Sequence, residues 1–139
     1  MSEGNVASPV LVVSLQAPTP PAGSFDAAAA ARGRDVFVGV GGCATCHSGS
    51  LFTDANDRLH SPAEVVSEPE PNGAPSYASR SASKMYRTAP LRSLWQHPPY
   101  FHNGTAPTLS AVVEQYAAKT GLNLTPQQKA DLVQYLKSL

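Results

Sequence analysis

The chain has 139 residues, ten Lys/Arg against ten Asp/Glu and a formal net charge of zero. It has room for one domain and no electrostatic hold on nucleic acid or an anionic membrane surface. Charged residues are only 14%, and 13 prolines and 10 glycines break the sequence into pieces too short for long helices.

Residues 1–23 are rich in Pro, Ser and Gly and read as an N-terminal tail or linker. One β-branched stretch, Val10 to Leu15, reads as a short extended segment docked on the body. Its apolar run, Val10-Leu11-Val12-Val13, ends at Ser14 and is far too short to span a membrane. The tail is a poor signal peptide, because Glu3 stands where a basic region belongs and residues 16–21 form no small-residue cleavage site. The folded domain is expected over residues 24–139. Ser24 is the expected N-cap and Asp26 suits the first helical turn, with a helix from Ala27 to Val38, Gly33 notwithstanding. Gly39, Gly41 and Gly42 end that helix.

Directly after those glycines stands Cys43-Ala44-Thr45-Cys46-His47. C-x-x-C-H is the spacing for covalent attachment of a c-type haem. Two thiols on one turn form thioethers to the two vinyl groups, and the adjacent His47 supplies an axial nitrogen to the iron. Both cysteines of the chain are used here, so none is left for a disulfide. A thioredoxin-like pair needs a preceding strand and a long following helix; glycines stand on one side and Ser48-Gly49-Ser50 on the other. A zinc site needs two more ligands, and His60, His97 and His102 offer no clean paired spacing. One covalent haem c is the expectation. Chemistry of this kind belongs to an oxidising, extracytoplasmic compartment such as the periplasm. The leader, or an upstream domain, is expected outside this sequence.

Residues 51–83 read as a long loop broken by Pro62, Pro69, Pro71 and Pro75. Ser61-Pro62-Ala63-Glu64 is the place for a single helical turn. Thr108 caps a helix over residues 109–118, with Leu109, Val112, Val113 and Tyr116 on one face and Gly121 as the stop. Thr125-Pro126-Gln127-Gln128 opens a terminal helix whose buried stripe is Leu132, Val133, Leu136 and Leu139. No strand pattern is present. The sum is an all-α, cytochrome c-like fold: a few short helices and long loops around one haem, with the first and last helices crossing above it.

The stretch Tyr86-Arg87-Thr88-Ala89-Pro90-Leu91-Arg92-Ser93-Leu94-Trp95 is followed by Pro99-Tyr100-Phe101-His102-Asn103-Gly104. With the two C-terminal helices, it resembles the haem domain of the bacterial di-haem cytochrome c peroxidase family, which includes the MauG-type enzymes. The resemblance covers residues 25–139 apart from the loop. Two departures stand out: one haem motif where the family's peroxidases carry two, and Ser93 where Asn is usual. The resemblance implies that the Pro90 carbonyl accepts the Nδ1–H of His47 and that Leu91 and Leu94 line the pocket. It also implies that Arg92, with Arg87 as a second candidate, balances the haem propionates.

The sixth iron ligand is left open between two residues. Tyr116 has the position, since it matches the Met of the family's electron-transfer haem or the Tyr of its MauG-type members. Met85 has the chemistry, since a thioether is the usual partner of His in electron carriers. The histidines are weaker candidates. The expected function is electron transfer to or from a partner protein or fused enzyme domain, more a carrier than an enzyme. The alternative is a catalytic haem with peroxidase- or oxidase-like activity, for which an acid–base residue over the iron is wanted; Glu114 and Gln115 flank Tyr116.

Overall fold

A computed structural model describes residues 16–66, 75 and 77–139. The first helix, α1, is Ala27–Val38. Its N-cap is Asp26, whose carboxylate accepts from the Ala29 amide, so the cap lies two residues later than the Ser24 expected. A carboxylate also favours the positive end of the helix, which a serine hydroxyl does not. The last helix, α4, is Pro126–Ser138 and opens on the expected capping box of Thr125 and Gln128, with Pro126 at its first position.

These two helices cross at Gly33. A Cβ built there would stand 2.0 Å from the Asp131 carbonyl oxygen and 2.9 Å from the Tyr135 Cβ. Only a residue without a side chain lets the backbones approach so closely. Beside the crossing, the Arg32 guanidinium forks onto both Asp131 oxygens at 2.8 Å, Gln127 donates to the same carboxylate at 2.9 Å, and the Asp26 amide donates to Gln134.

Between them lie α2, Tyr77–Arg80, and α3, Leu109–Thr120. The first is a four-residue helix inside the stretch read as loop. The second is capped by the Thr108 side chain on the Ala111 amide and stopped by Gly121, as expected. It buries Leu109, Val113 and Ala117, leaving Val112 and Tyr116 only half-buried. Val112 packs against the core from that half-buried position, so the face read by hydrophobicity stands, with Ala117 added to it. In α4 the expected Leu132 and Leu136 are buried together with Asp131 and Tyr135, and Val133 and Leu139 pack half-buried against the same core.

The remaining elements are single 3-10 turns at Cys43–Thr45, Pro62–Glu64 and Leu94–Gln96. The middle one is the turn expected after Ser61. No β-strand occurs among the described residues, only the isolated bridges His60 with Tyr86 and Tyr100 with Ala106. One hydrophobic core joins Val36 and Phe37 of α1, Leu109 and Val113 of α3, and Leu132, Tyr135 and Leu136 of α4 with Leu91 and Tyr100; Cys43, Phe52 and Leu94 pack on its edge. Each large side chain so buried contributes roughly 1.5–3 kcal/mol. The architecture is the all-α arrangement expected.

The Val10–Leu15 segment lies outside the described residues. Further along the tail, the buried Ser93 hydroxyl donates to the Pro18 carbonyl at 3.0 Å, so the tail's later part is tied to the body. Ser93 itself sits at φ 55°, the left-handed region that Asn tolerates best among side chains. This explains why Asn is the residue to expect there. Serine gives up that conformational ease and makes the bond to Pro18. No helix among the described residues is long and apolar enough to cross a membrane.

Candidate haem site

The attachment turn is built by the glycines before it. Gly42 enters it at φ 62°, where a side chain would be strained, and the His47 amide closes it on the Cys43 carbonyl at 2.9 Å. Cys43 and Cys46 are both free and half-buried. Burial pushes both thiols above their ordinary pKa, so they stand protonated at neutral pH. His47 is pushed the other way: burial, the dominant cause, holds its pKa below the usual value despite the nearby Phe52 and Ala89 carbonyls. A neutral imidazole is the form that binds a metal.

The Nδ1 of His47 lies 3.0 Å from the Phe52 carbonyl oxygen. A carbonyl only accepts, so that nitrogen carries the proton and Nε2 is left with a lone pair for iron. This corrects the partner expected in the Pro90 carbonyl. Phe52 adopts φ 55°, which turns its carbonyl back onto the ring, and the proline segment acts through Ala89, one residue earlier. Phe37 packs against both rings, with centroids 6.4 Å from His47 and 6.2 Å from Phe52. A cavity of about 310 Å³ runs beside His47 between Phe37, Ala44, Phe52 and Tyr135; Leu91, Leu94 and Tyr116 do not line it.

Of the other expected residues, Leu91 is buried in the core and Leu94 packs on it. Pro90 is exposed. The exposed Arg92 donates from Nε to the Ser50 carbonyl at 2.8 Å, which brings it to the loop just after the motif. Arg87 is exposed. Met85 is half-buried, its amide held by the Ser83 hydroxyl. Tyr116 meets Phe101 ring to ring at 6.0 Å. Its phenol pKa is pushed up to about 12, mainly by burial and further by the Cys43 and Cys46 sulfurs. The phenol therefore stands within electrostatic reach of both attachment thiols. Its neighbours are engaged elsewhere: Glu114 pairs with Lys129 at 2.6 Å, and Gln115 donates to the Val66 carbonyl at 3.1 Å.

Two features escaped sequence reasoning. His60 is buried and paired with Asp54 at 3.0 Å, and donor atoms of Cys46, Asp54 and His60 all lie within 4.8 Å of one another. Burial would raise the Asp54 carboxyl, but Thr88 and His60 outweigh it and hold it below the usual range. No short-range spacing announces this cluster, since the loop from 47 to 60 has to fold back to make it. It offers three donors of a zinc-type set. A cysteine committed to a thioether can no longer act as a thiolate there. The second feature is Trp95, whose buried indole Nε1 has no hydrogen-bond partner. Two thiols and a neutral imidazole whose Nε2 keeps its lone pair form a set of residues that fits a covalently held haem.

A family profile described as RoxA-like, cytochrome c-like matches residues 85–120. The chain is 32% identical to the methylamine utilization protein MauG of Methylorubrum extorquens over 79% of its own length and 34% of that protein. It is 30% identical to the cytochrome-c peroxidase IdrP2 of Denitromonas iodatirespirans over 77% of its length and 38% of the relative. The chain is a c-type cytochrome domain of the MauG and cytochrome-c peroxidase family. A c-type haem is accordingly its cofactor. Among solved structures, a MauG-like protein associated with microbial copper homeostasis superposes with a TM-score of 0.58 at 25% identity, over 80% of this chain and 46% of that one. Hydrazine synthase of Kuenenia stuttgartiensis shares the fold at the same TM-score and 24% identity, over 92% of this chain and 52% of that one. The chain thus spans little more than a third of the length of these two relatives.

Proposed function

We propose that this cytochrome domain carries a single haem, held by Cys43, Cys46 and His47, and passes electrons to or from a partner protein or a fused enzyme domain in the periplasm or another extracytoplasmic space. Bound there, the haem supplies a one-electron iron couple. His47 gives its Nε2 to the metal, and the Phe52 carbonyl fixes the ring by holding the Nδ1 proton. Leu91 and Leu94 keep water from the ring, and Arg92 balances charge at its edge. Tyr116 would be the second protein ligand to the iron.

The observation that carries this reading is the surroundings of Tyr116. Its half-buried phenol lies within electrostatic reach of both attachment sulfurs, and the side chains on either side are tied to Lys129 and to the Val66 carbonyl. Neither Glu114 nor Gln115 stands ready as an acid–base residue, which peroxide chemistry would want. Exposed Val38, Val40 and Leu51 near the attachment turn give a partner an apolar rim to rest on. Met85 is the alternative ligand. A peroxidase- or oxidase-like haem is the second reading, because relatives over this same stretch include cytochrome-c peroxidases.

Absorption spectra of the matured protein and two variants test the assignment. Tyr116→Phe is expected to change the ferric spectrum and Met85→Leu to leave it as it was. The reverse pattern would move the ligand to Met85. Rapid binding of cyanide and turnover of peroxide by the unsubstituted protein would replace the carrier by the catalytic reading.

A further inference from the structure

Donor atoms of Cys46, Asp54 and His60 gather beside the attachment turn, all within 4.8 Å of one another. Once Cys46 has spent its thiol on a thioether, no thiolate remains to complete a metal site there. What stays beside the sulfur is a carboxylate. The Asp54 side chain is only 11% exposed and lies 3.0 Å from the His60 Nε2. Burial alone would push its carboxyl up, but bonds from the Thr88 and His60 side chains outweigh burial and hold it below the usual range. It is therefore ionised at neutral pH.

The loop that carries Asp54 is fastened on both sides. Ahead of it, the Thr53 hydroxyl donates to the Thr88 carbonyl at 2.6 Å and the Thr53 amide to the Ser48 carbonyl at 2.9 Å. Behind it, the His60 and Tyr86 amides donate to each other's carbonyls at 2.8 and 2.7 Å. A charge fixed away from water acts on its neighbours through a lower effective permittivity than one at the surface. Its reach extends to both residues at the end of the motif. The Cys46 thiol, raised first by burial, is raised further by Asp54. The His47 imidazole, lowered first by burial, is drawn part of the way back by the Phe52 carbonyl and by Asp54. Arg58 and Glu64 also act on Cys46, but they pair with each other and are more exposed, at 52% and 39%. Their opposite charges offset one another at the motif, which leaves Asp54.

We propose that Asp54, clamped by Thr88 and His60 beside Cys46, sets the potential of the haem iron. Its fixed negative charge favours the ferric state, which carries one more positive charge than the ferrous, and so lowers the midpoint potential. This rests on the covalent-haem reading given above.

The test is a redox titration of the matured protein. Asp54→Asn keeps the shape of the side chain and removes its charge. It should retain the covalent haem and raise the midpoint potential by about 59 mV, the one-electron equivalent of a roughly tenfold change in the ferric-to-ferrous ratio. Asp57→Asn removes the same charge from an exposed position three residues on and should move the potential far less. The difference between the two variants should persist in high salt, which screens surface charges. A shift from Asp54→Asn no larger than that from Asp57→Asn, or one downward, would overturn the proposal while leaving the haem reading intact. A second measurement needs no substitution, so it decides the matter even if Asp54→Asn matures poorly. With aspartate carboxyls labelled by carbon-13, the ferric-minus-ferrous infrared difference spectrum should contain a labelled carboxylate band. Its absence would overturn the proposal. Matured protein without covalent haem would overturn both readings.

Discussion

The crossing of α1 with α4 and the attachment turn with its covering loops are held together in different ways. At the crossing every polar group named is paired within the chain: Asp131 is matched by Arg32 and Gln127, and the Asp26 amide by Gln134. Around residues 43–52 and 85–104 the chain turns through short 3-10 segments and left-handed residues at Phe52, Ser93 and Phe101. It leaves two thiols outside any disulfide, with Cys43 donating only a long bond to the Gly41 carbonyl at 3.5 Å, and the buried Trp95 indole N–H without a partner. The first region is specified by contacts the chain makes with itself. The second is specified by a group the chain must be given. A small domain that cannot fill its own interior commonly leans on such a group.

The contrast can be broken most severely by replacing both Cys43 and Cys46 with Ala. All covalently held pigment should be lost on a denaturing gel stained for haem, whereas the far-ultraviolet helical signal should fall less completely. Equal loss of both would mean that the crossing does not stand on its own. Gly33→Ala attacks the other side. Its Cβ would fall 2.0 Å from a backbone oxygen that cannot swing away, so the helices must separate. Destabilisation of roughly 3 kcal/mol in urea unfolding is expected, at the upper end for overpacking, with haem attachment retained. A smaller effect comes from Asp131→Asn. Arg32 is 56% exposed and Asp131 only 5% exposed, so the pair is wet on one side. The Arg32 side chain, as the main cause, holds the Asp131 carboxyl below the ordinary range. A carboxyl whose folded pKa is depressed contributes stability above its unfolded value, near pH 4, and loses it as pH falls through the folded value. The variant should therefore be less stable than the parent at pH 7, and the two should converge below about pH 4. A gap independent of pH would show that the carboxylate's charge is not what holds the crossing.

The same division runs through what could be read from the sequence. Local signals carried the attachment motif, the capping box at Thr125, the Thr108 cap and the Gly121 stop, because each is settled within four residues of chain. The crossing was legible as a pair of helices, but the reason for Gly33 was not, since it depends on Asp131 and Tyr135 far along the chain. The apolar stripes of α3 and α4 were legible, but not the burial of Ala117 and Asp131 beside them. Asp131 is buried on its ion pair with Arg32, which a hydrophobic stripe does not register. The partner of the His47 Nδ1 changed from Pro90 to Phe52 because one left-handed residue redirects a carbonyl, and nothing in the residue type announces that φ. The Cys46, Asp54 and His60 cluster and the Trp95 orphan appear only once the loops are placed.

The central claim is that one haem is bonded to both sulfurs of the motif. Mass spectrometry of the matured chain tests it most directly, read after extraction with acidic acetone. The account predicts a mass raised by a single haem, retained through extraction and carried by the peptide containing residues 43–47, with no thiol left to alkylate. Two alkylatable thiols on a chain of unmodified mass would contradict it.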